Sequence, residues 1–385
     1  GVEAVLVAMA TDLNLGLLDE MGFDRSEVTG AGPDDLLIAI RASVPGVLAV
    51  ARAAADERLA GSAAPTPGAM LEPPRPRTVG AAARVSGANL ALISVPGGHA
   101  FVEAMEALRA GLHVMLFSDN VAVDREVLLK REAAERGLLV MGPDCGTAIV
   151  DGVGLGFANA VDLGPAGICG ASGTGIQQLC CLLDAAGVGV RHALGTGGRD
   201  LSSAVGGAST RRALAALDVD PAVEVIIVVS KPPDPEVAAA LGRAIDGCAT
   251  PVVPALLGSD DLTLEGAATL ALAHLGVPAA EPPVWRPDRA TTPRAGVLRG
   301  FFAGGTLRDE ARSIAAALLG PIATEMAADS HSMVDFGADE FTHGRAHPMI
   351  DQRLRLDALS AAAELPTAAV LLDVVLGHGA NSDPA

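Results

Sequence analysis

The sequence predicts an α/β protein of tandem doubly wound parallel sheets, and three observations lead there. Half of its 385 residues are apolar while only 2% are aromatic, so the core has to be assembled from Ala, Val, Leu and Ile. Short branched-aliphatic runs alternate with Ala-rich stretches of helical length, the order in which strands and covering helices follow one another in a parallel sheet. Many of the 45 glycines stand where such runs end, at turns leading from strand into helix.

In chain order, residues 1–61 hold a short apolar run, a strand over 34–40 and an Ala-rich helix over 45–60. Residues 61–78 are rich in Pro and Gly and lack apolar periodicity, which marks a linker. Strands over 89–95, 113–117 and 137–141 enclose helices over 100–110 and from 124 onward, so two successive strand–helix–strand units predict a parallel sheet. The rhythm restarts with a strand over 168–171, a helix to 186 and a strand over 190–194. The strongest strand signal, Val223–Val229, holds six branched aliphatics. A helix over 235–245 and a strand over 251–257 follow. A second Pro-rich linker, 281–294, precedes a strand over 296–303, a helix over 306–319, a helix over 352–365 and a strand over 369–376. The resulting division is an N-terminal segment with linker (1–78), a Rossmann-like domain (79–145), a second α/β domain (146–280), a linker (281–294) and a third, truncated α/β domain (295–385).

Composition narrows the function. With 27 Lys and Arg against 46 Asp and Glu the formal charge is −19, so nucleic acid is not an expected partner. No apolar stretch reaches the span of a membrane helix and no signal peptide opens the chain, so no membrane association and a cytoplasmic location are expected. The five cysteines form neither a disulfide framework nor a zinc pattern. The chain starts with Gly rather than Met, as a fragment would.

Three strand ends run into Gly-rich turns at helix starts, at 170–175, 304–306 and 377–381, each able to offer free amides to an anion. None is a Walker loop and none completes the dinucleotide fingerprint. Lys231 follows the strongest strand and precedes two prolines, where it can meet a phosphoryl or acyl-phosphate oxygen, although a solvated strand-end lysine satisfies position equally well. Arg199 and Asp200 follow Gly197 and Gly198 and admit a bidentate anion contact. Asp335, Asp339, Glu340, His343, Arg345, His347 and Asp351 crowd one polar segment whose spacing fits no metal motif, so no metal is expected. His347 there reads as structural on position alone. Cys145 reads as a buried thiol.

Six motifs then stand out: Met141-Gly142-Pro143-Asp144-Cys145-Gly146-Thr147, Gly170-Ala171-Ser172-Gly173-Thr174-Gly175, Gly197-Gly198-Arg199-Asp200-Leu201-Ser202, Ser230-Lys231-Pro232-Pro233, Gly344-Arg345-Ala346-His347-Pro348-Met349-Ile350-Asp351 and Leu372-Asp373-Val374-Val375-Leu376-Gly377. Together they resemble the FdrA family, a branch of the succinyl-CoA synthetase superfamily, over nearly the whole chain. The resemblance implies that 80–145 is similar to the CoA-binding domain of the synthetase α subunit, 146–278 to its ligase domain and 295–385 to the C-terminal domain of the β subunit. In that superfamily two facing helix N-termini hold a phosphoryl group. The resemblance puts Ser172, Gly173, Thr174 and Gly175 at one, with Gly197 and Gly198 beside it, and Gly377, Gly379 and Asn381 at the other.

The departures bear on activity. The stretch 257–272, where the synthetases carry a phosphorylated histidine, contains none, and Lys231 stands where they have a supporting glutamate. Neither the Gly-rich loop for the CoA phosphates nor an ATP-grasp domain is found, so no cofactor is firmly implied, CoA included. What the resemblance then implies is a subunit of an oxamate carbamoyltransferase in allantoin breakdown, interconverting oxalurate plus phosphate with oxamate plus carbamoyl phosphate within a hetero-oligomer. Lys231, Arg199, Asp200 and His347 are its catalytic candidates, and Asn159, Gly304, Gly305, Thr306 and Asp335 its substrate-binding ones. An acyl-CoA ligase using CoA and phosphate, and a non-catalytic scaffold subunit, are the alternatives.

Overall fold

A computed structural model describes residues 2–10, 12–31, 35–61, 76–257, 262–281, 284, 294–342 and 347–376. The chain divides into two compact units, Gly1–Arg75 and Pro76–Ala385.

In the first unit, strand β1 (Val2–Met9) pairs antiparallel with β2 (Leu36–Ala42). Helices α1 (Asp12–Glu20) and α2 (Pro45–Gly61) pack on this two-stranded sheet, with Leu15, Leu18 and Leu37 in a small core. The strand and helix expected over 34–40 and 45–60 are β2 and α2. The short apolar run before them is the partner strand β1.

The second unit opens with α3 (Val79–Ser86), capped by the Thr78 hydroxyl and ended by Gly87 in the left-handed conformation. Strands β3 (Leu90–Ile93), β4 (His113–Leu116) and β5 (Val140–Met141) form a parallel sheet, crossed by α4 (Gly97–Arg109) and α5 (Val123–Arg136). A hairpin of β6 (Thr147–Val150) and β7 (Val153–Gly156) enters a six-stranded sheet ordered β11-β10-β8-β9-β6-β7. There β8 (Ala166–Ala171), β9 (Val190–Gly195), β10 (Val225–Ser230) and β11 (Val252–Leu256) run parallel. Helices α6 (Gly173–Ala185), α7 (Ala208–Asp218), α8 (Pro235–Asp246) and α9 (Leu264–His274) cover its two faces. Val225 through Val229 are fully buried, as a central parallel strand requires, and this is why that run carried the clearest strand signal.

A last parallel sheet, ordered β13-β12-β14, is built from β12 (Val297–Phe302), β13 (Ser332–Asp335) and β14 (Thr367–Leu372), with α10 (Gly305–Leu319), α11 (Asp339–Thr342) and α12 (Arg353–Ala363). Parallel α/β architecture with separate doubly wound elements is thus observed. The elements not expected from the sequence include the β6–β7 hairpin, the helices α1, α3, α7, α9 and α11, and β13. Helix α9 is apolar nearly all round, with Leu264, Ala267, Ala268, Ala271 and Leu272 buried, so it shows no amphipathic period. Strand β13 has only four residues and starts and ends on buried polar side chains, Ser332 and Asp335.

Candidate functional site

The C-terminal ends of strands from all three sheets of the second unit open into one cleft of about 400 Å³. In open parallel sheets this is the edge where ligands bind, because the helices that follow present their N-termini there. Its walls include Ser94 after β3, Ser118 and Asp119 after β4, Ser172 after β8, Lys231 after β10, Gly304 after β12 and Asp335 ending β13.

Two helix N-termini meet in the cleft. Ser172 caps α6, its Oγ accepting the Gly175 amide at 2.9 Å, and the same Oγ lies 2.5 Å from Oγ1 of Thr306 in the first turn of α10. This approach demands residues without Cβ. A Cβ on Gly304 would stand 2.6 Å from the Thr174 hydroxyl, and one on Gly305 would collide with Lys231 Nζ and Asp335 Oδ2. The first amides of both helices have no intrahelical acceptor, so two positive helix ends point into a shared space.

The start of α10 is held from behind. Both carboxylate oxygens of Asp373 accept the Ala303 amide at 2.9 Å, and Arg355 Nη1 donates to Asp373 Oδ1 at 2.6 Å. Burial raises the Asp373 carboxyl, with the Ala303 amide and Arg355 opposing.

Lys231 Nζ lies 3.9 Å from Asp335 Oδ2. Burial pushes the Asp335 carboxyl above its usual range, with Lys231 and the Gly337 amide, which donates to Oδ1 at 2.9 Å, pulling the other way. His347 sits on the same wall. Burial draws its basicity down to about 4, with Asp119 opposing, so the ring is neutral at pH 7. The Met349 amide donates to its Nδ1 at 3.2 Å, which leaves the proton on Nε2. Among the described residues lining the cleft, Lys231 is the cation, set among Asp119, Asp144 and Asp335.

Several expected site residues therefore converge: Ser172, Gly173, Thr174, Gly198, Lys231, Gly304, Gly305, Thr306, Asp335 and His347 line the cleft, and Gly175 lies behind Ser172. Others do not. Asp200 is fully buried below the cleft, with Lys130 Nζ at 2.7 Å from Oδ1 and the Thr210 amide and hydroxyl on Oδ2 at 2.8 and 2.7 Å. Its oxygens are engaged by the fold, and it does not line the cleft as the catalytic reading requires. Arg199 does not line it either. It donates to Glu126 Oε2 at 3.2 Å and to the Val121 carbonyl at 2.7 Å. Gly197, at φ 90°, lets this loop pass against the Pro143 carbonyl instead of facing a ligand. Asn159 is also outside the wall, its Nδ2 donating to Cys181 Sγ at 3.2 Å. The helix end that meets α6 is that of α10, whereas the loop expected there, with Gly377, Gly379 and Asn381, lies outside the described residues, as do His343 and Arg345.

Burial pushes the Cys145 thiol up to about 12, which removes it as a nucleophile. Sequence reasoning missed Asp119, Asp144 and Gln177 on the wall, and Lys130 and Glu126 behind it. For Asp119 the signal was present as Phe117-Ser118-Asp119-Asn120, a polar run closing a strand. Lys130 carried none, since its partners Thr196 and Asp200 are about seventy residues away in sequence.

Comparison with known proteins adds to this geometry. Residues 1–73 match the family model of the AllF heavy metal-associated domain, and residues 301–385 that of CoA-ligase. The uncharacterized protein YahF of Escherichia coli is 38% identical over 425 residues, spanning all of this chain and 80% of YahF. The ADP-forming succinate–CoA ligase subunit alpha 1 of Archaeoglobus fulgidus is 32% identical over 125 residues, 31% of this chain and 43% of that protein. Two solved structures are distantly similar. The dinucleotide-forming acetyl-coenzyme A synthetase 1 of Ca. Korarchaeum cryptofilum, with phosphate and ADP, is 18% identical at a TM-score of 0.37, covering 60% of this chain and 54% of its own. The ATP citrate lyase of Methanothrix soehngenii, with citrate and coenzyme A, is 15% identical at 0.40, covering 65% and 47%. The chain thus spans about half of each structure. Despite the first model's name, residues 1–73 contain neither cysteine nor histidine, so they lack thiolate and imidazole ligands and offer a soft metal ion only the thioethers of Met9, Met21 and Met70.

Proposed function

We propose, on the premise that this chain belongs to the YahF family and contains a CoA-ligase domain, that its cleft binds the phosphoryl end of a small acyl phosphate and exchanges the acyl group. The observation that carries the reading is the meeting of two helix N-termini at Ser172 and Thr306, 2.5 Å apart, with Lys231 beside them. A phosphate held there receives amide donors from both helices and one ammonium.

The acyl phosphate we favour is carbamoyl phosphate, which makes the chain a subunit of an oxamate carbamoyltransferase of the FdrA type. The carboxylates of Asp119, Asp144 and Asp335 support this choice: they are acceptors, and a carbamoyl or oxamate amide brings N–H groups that a simple acyl chain lacks. In the direction of oxamate carbamoylation the amide nitrogen attacks the carbamoyl carbon, the C–O bond to phosphate breaks, and the proton that the amide gives up passes to the departing phosphate. The departing phosphate takes the electron pair, and Lys231 and the helix ends stabilise its charge. No histidine in 257–272 is available to carry the phosphoryl group, which favours direct transfer.

Acyl-CoA ligation is the second reading, favoured by the CoA-ligase match over 301–385. One titration separates the two. Phosphate and carbamoyl phosphate should raise the thermal transition, because a ligand selective for the folded state stabilises it, while CoA should leave it unchanged. Lys231→Ala should remove the response to phosphate. Stabilisation by CoA, or an undiminished phosphate response in the variant, would replace the carbamoyltransferase reading.

A further inference from the structure

The donors and acceptors on the cleft wall beyond the phosphoryl cradle form a pattern of their own. A Cβ placed on Gly337 would lie 2.7 Å from His347 Nε2 and 3.2 Å from Asp335 Oδ1, so the imidazole edge and the carboxylate stand side by side around one small residue. Their hydrogen-bonding characters are opposite while Asp335 is ionised. The Met349 amide occupies Nδ1 of His347, so Nε2 carries the hydrogen and can only donate. Asp335, when ionised, can only accept, and its Oδ2 is turned toward Lys231, hence toward the phosphoryl end of the cleft. Asp119, on the same wall, is the charge that acts on the imidazole.

A donor beside an acceptor is complementary to one edge of a primary amide, whose carbonyl oxygen accepts and whose NH2 donates. We infer that His347 and Asp335 read the carbamoyl group of the bound acyl phosphate, His347 Nε2–H donating to its carbonyl oxygen and Asp335 accepting from its NH2. This rests on the acyl-phosphate reading above and narrows the substrate to amide-bearing acyl phosphates. It also assigns His347 a role other than phosphoryl carrier: its remaining lone pair, on Nδ1, is turned to a backbone amide and away from the ligand. The donor polarises the carbonyl under attack, and the carboxylate discriminates against an isostere without N–H groups.

Acetyl phosphate is the probe that isolates the amide, since a methyl group replaces NH2 while carbonyl and phosphoryl remain. Calorimetric titration of the full chain with freshly prepared carbamoyl phosphate, acetyl phosphate and inorganic phosphate should give a carbamoyl preference over acetyl of tenfold or more. Asp335→Ala should reduce that preference to about twofold while inorganic phosphate still binds. His347→Gln, which retains a donor at similar reach, should hold carbamoyl phosphate within about threefold of the original affinity, whereas His347→Phe should weaken both acyl phosphates tenfold or more and leave inorganic phosphate unchanged. Equal affinity for the two acyl phosphates in the unaltered chain would overturn the inference, as would a preference that survives Asp335→Ala or equal binding by the two His347 variants. Failure of every phosphate probe to bind would instead remove the acyl-phosphate reading beneath it.

Discussion

At the scale of single residues, the cleft is governed by a few side chains whose protonation and reach are set by their neighbours. Lys231 is the residue whose loss should be felt first by an anion. Lys231→Ala should weaken phosphate binding by roughly tenfold to a hundredfold, the range of a charge-assisted contact, with little change in the unfolding midpoint. His347 makes a prediction in pH. Its folded-state basicity is depressed from 6.5 to about 4 by burial, so as pH falls the unfolded chain takes up the proton first. Its contribution to stability is complete above pH 6.5 and is lost as pH falls toward 4. The difference in thermal midpoint between the unaltered chain and His347→Gln should therefore slope between pH 6.5 and 4 and flatten above. Asp335, whose carboxyl is shifted the opposite way, is present in both proteins and cancels in the comparison. A flat difference would show that the imidazole is solvated.

At the scale of elements, the site depends on how closely α6 and α10 can start. Gly305→Ala would press a methyl group onto Lys231 and Asp335, and we expect a loss of about 1–3 kcal/mol, the usual cost of overpacking, together with loss of phosphate binding. Denaturant unfolding and the same titration measure both. Behind the Gly197–Gly198 loop, Lys130 satisfies buried Glu126 and Asp200 at 2.8 and 2.7 Å and the Thr196 carbonyl at 3.0 Å. Lys130→Met should cost about 3–5 kcal/mol, because buried Asp200 then loses the cation paired with it, whereas Glu126 keeps Arg199. Strands and helices with a strong period were legible in the sequence: β10, α6, β12 and α10 were all expected within a few residues. Elements without a period were not. Ala-rich α9 and the four-residue β13 take their structure from burial against neighbours, which no local pattern encodes. The same contrast holds in the cleft. Ser172, Lys231, Gly304 and Asp335 sit at strand ends and could be read locally, whereas Lys130 and Glu126, themselves one helical turn apart, reach Asp200 and Arg199 about seventy residues away. Arg199 and Asp200 illustrate the converse: a strand-end motif suggested chemistry, and tertiary packing buried Asp200 and set Arg199 against Glu126 and the Val121 carbonyl.

At the scale of the whole molecule, the second unit gathers the ends of three separate sheets around one space. A ligand that bridges the starts of α6 and α10 and touches the turns after β3 and β4 ties those sheets together. Hydrogen exchange should then slow at 94–97, 172–176 and 303–307 in concert when phosphate is added, and protection confined to one of these turns would show that the ligand occupies a single helix end. The first unit makes a different prediction. With no cysteine or histidine and only three methionines as soft donors in residues 1–73, full-length chain carrying Cys181→Ser and Cys248→Ser, its accessible thiols removed, should not compete for stoichiometric Cu(I) against a chelator. The cradle itself has a longer consequence. Its donors are main-chain amides at two helix starts, so most side-chain substitutions leave them in place as long as Gly304 and Gly305 stay without a Cβ. The rim, by contrast, is made of replaceable side chains. Descendants of such a protein can exchange one activated acyl group for another by drift at Asp335 and His347 alone, keeping an inherited anchor and diversifying in what they attach to it.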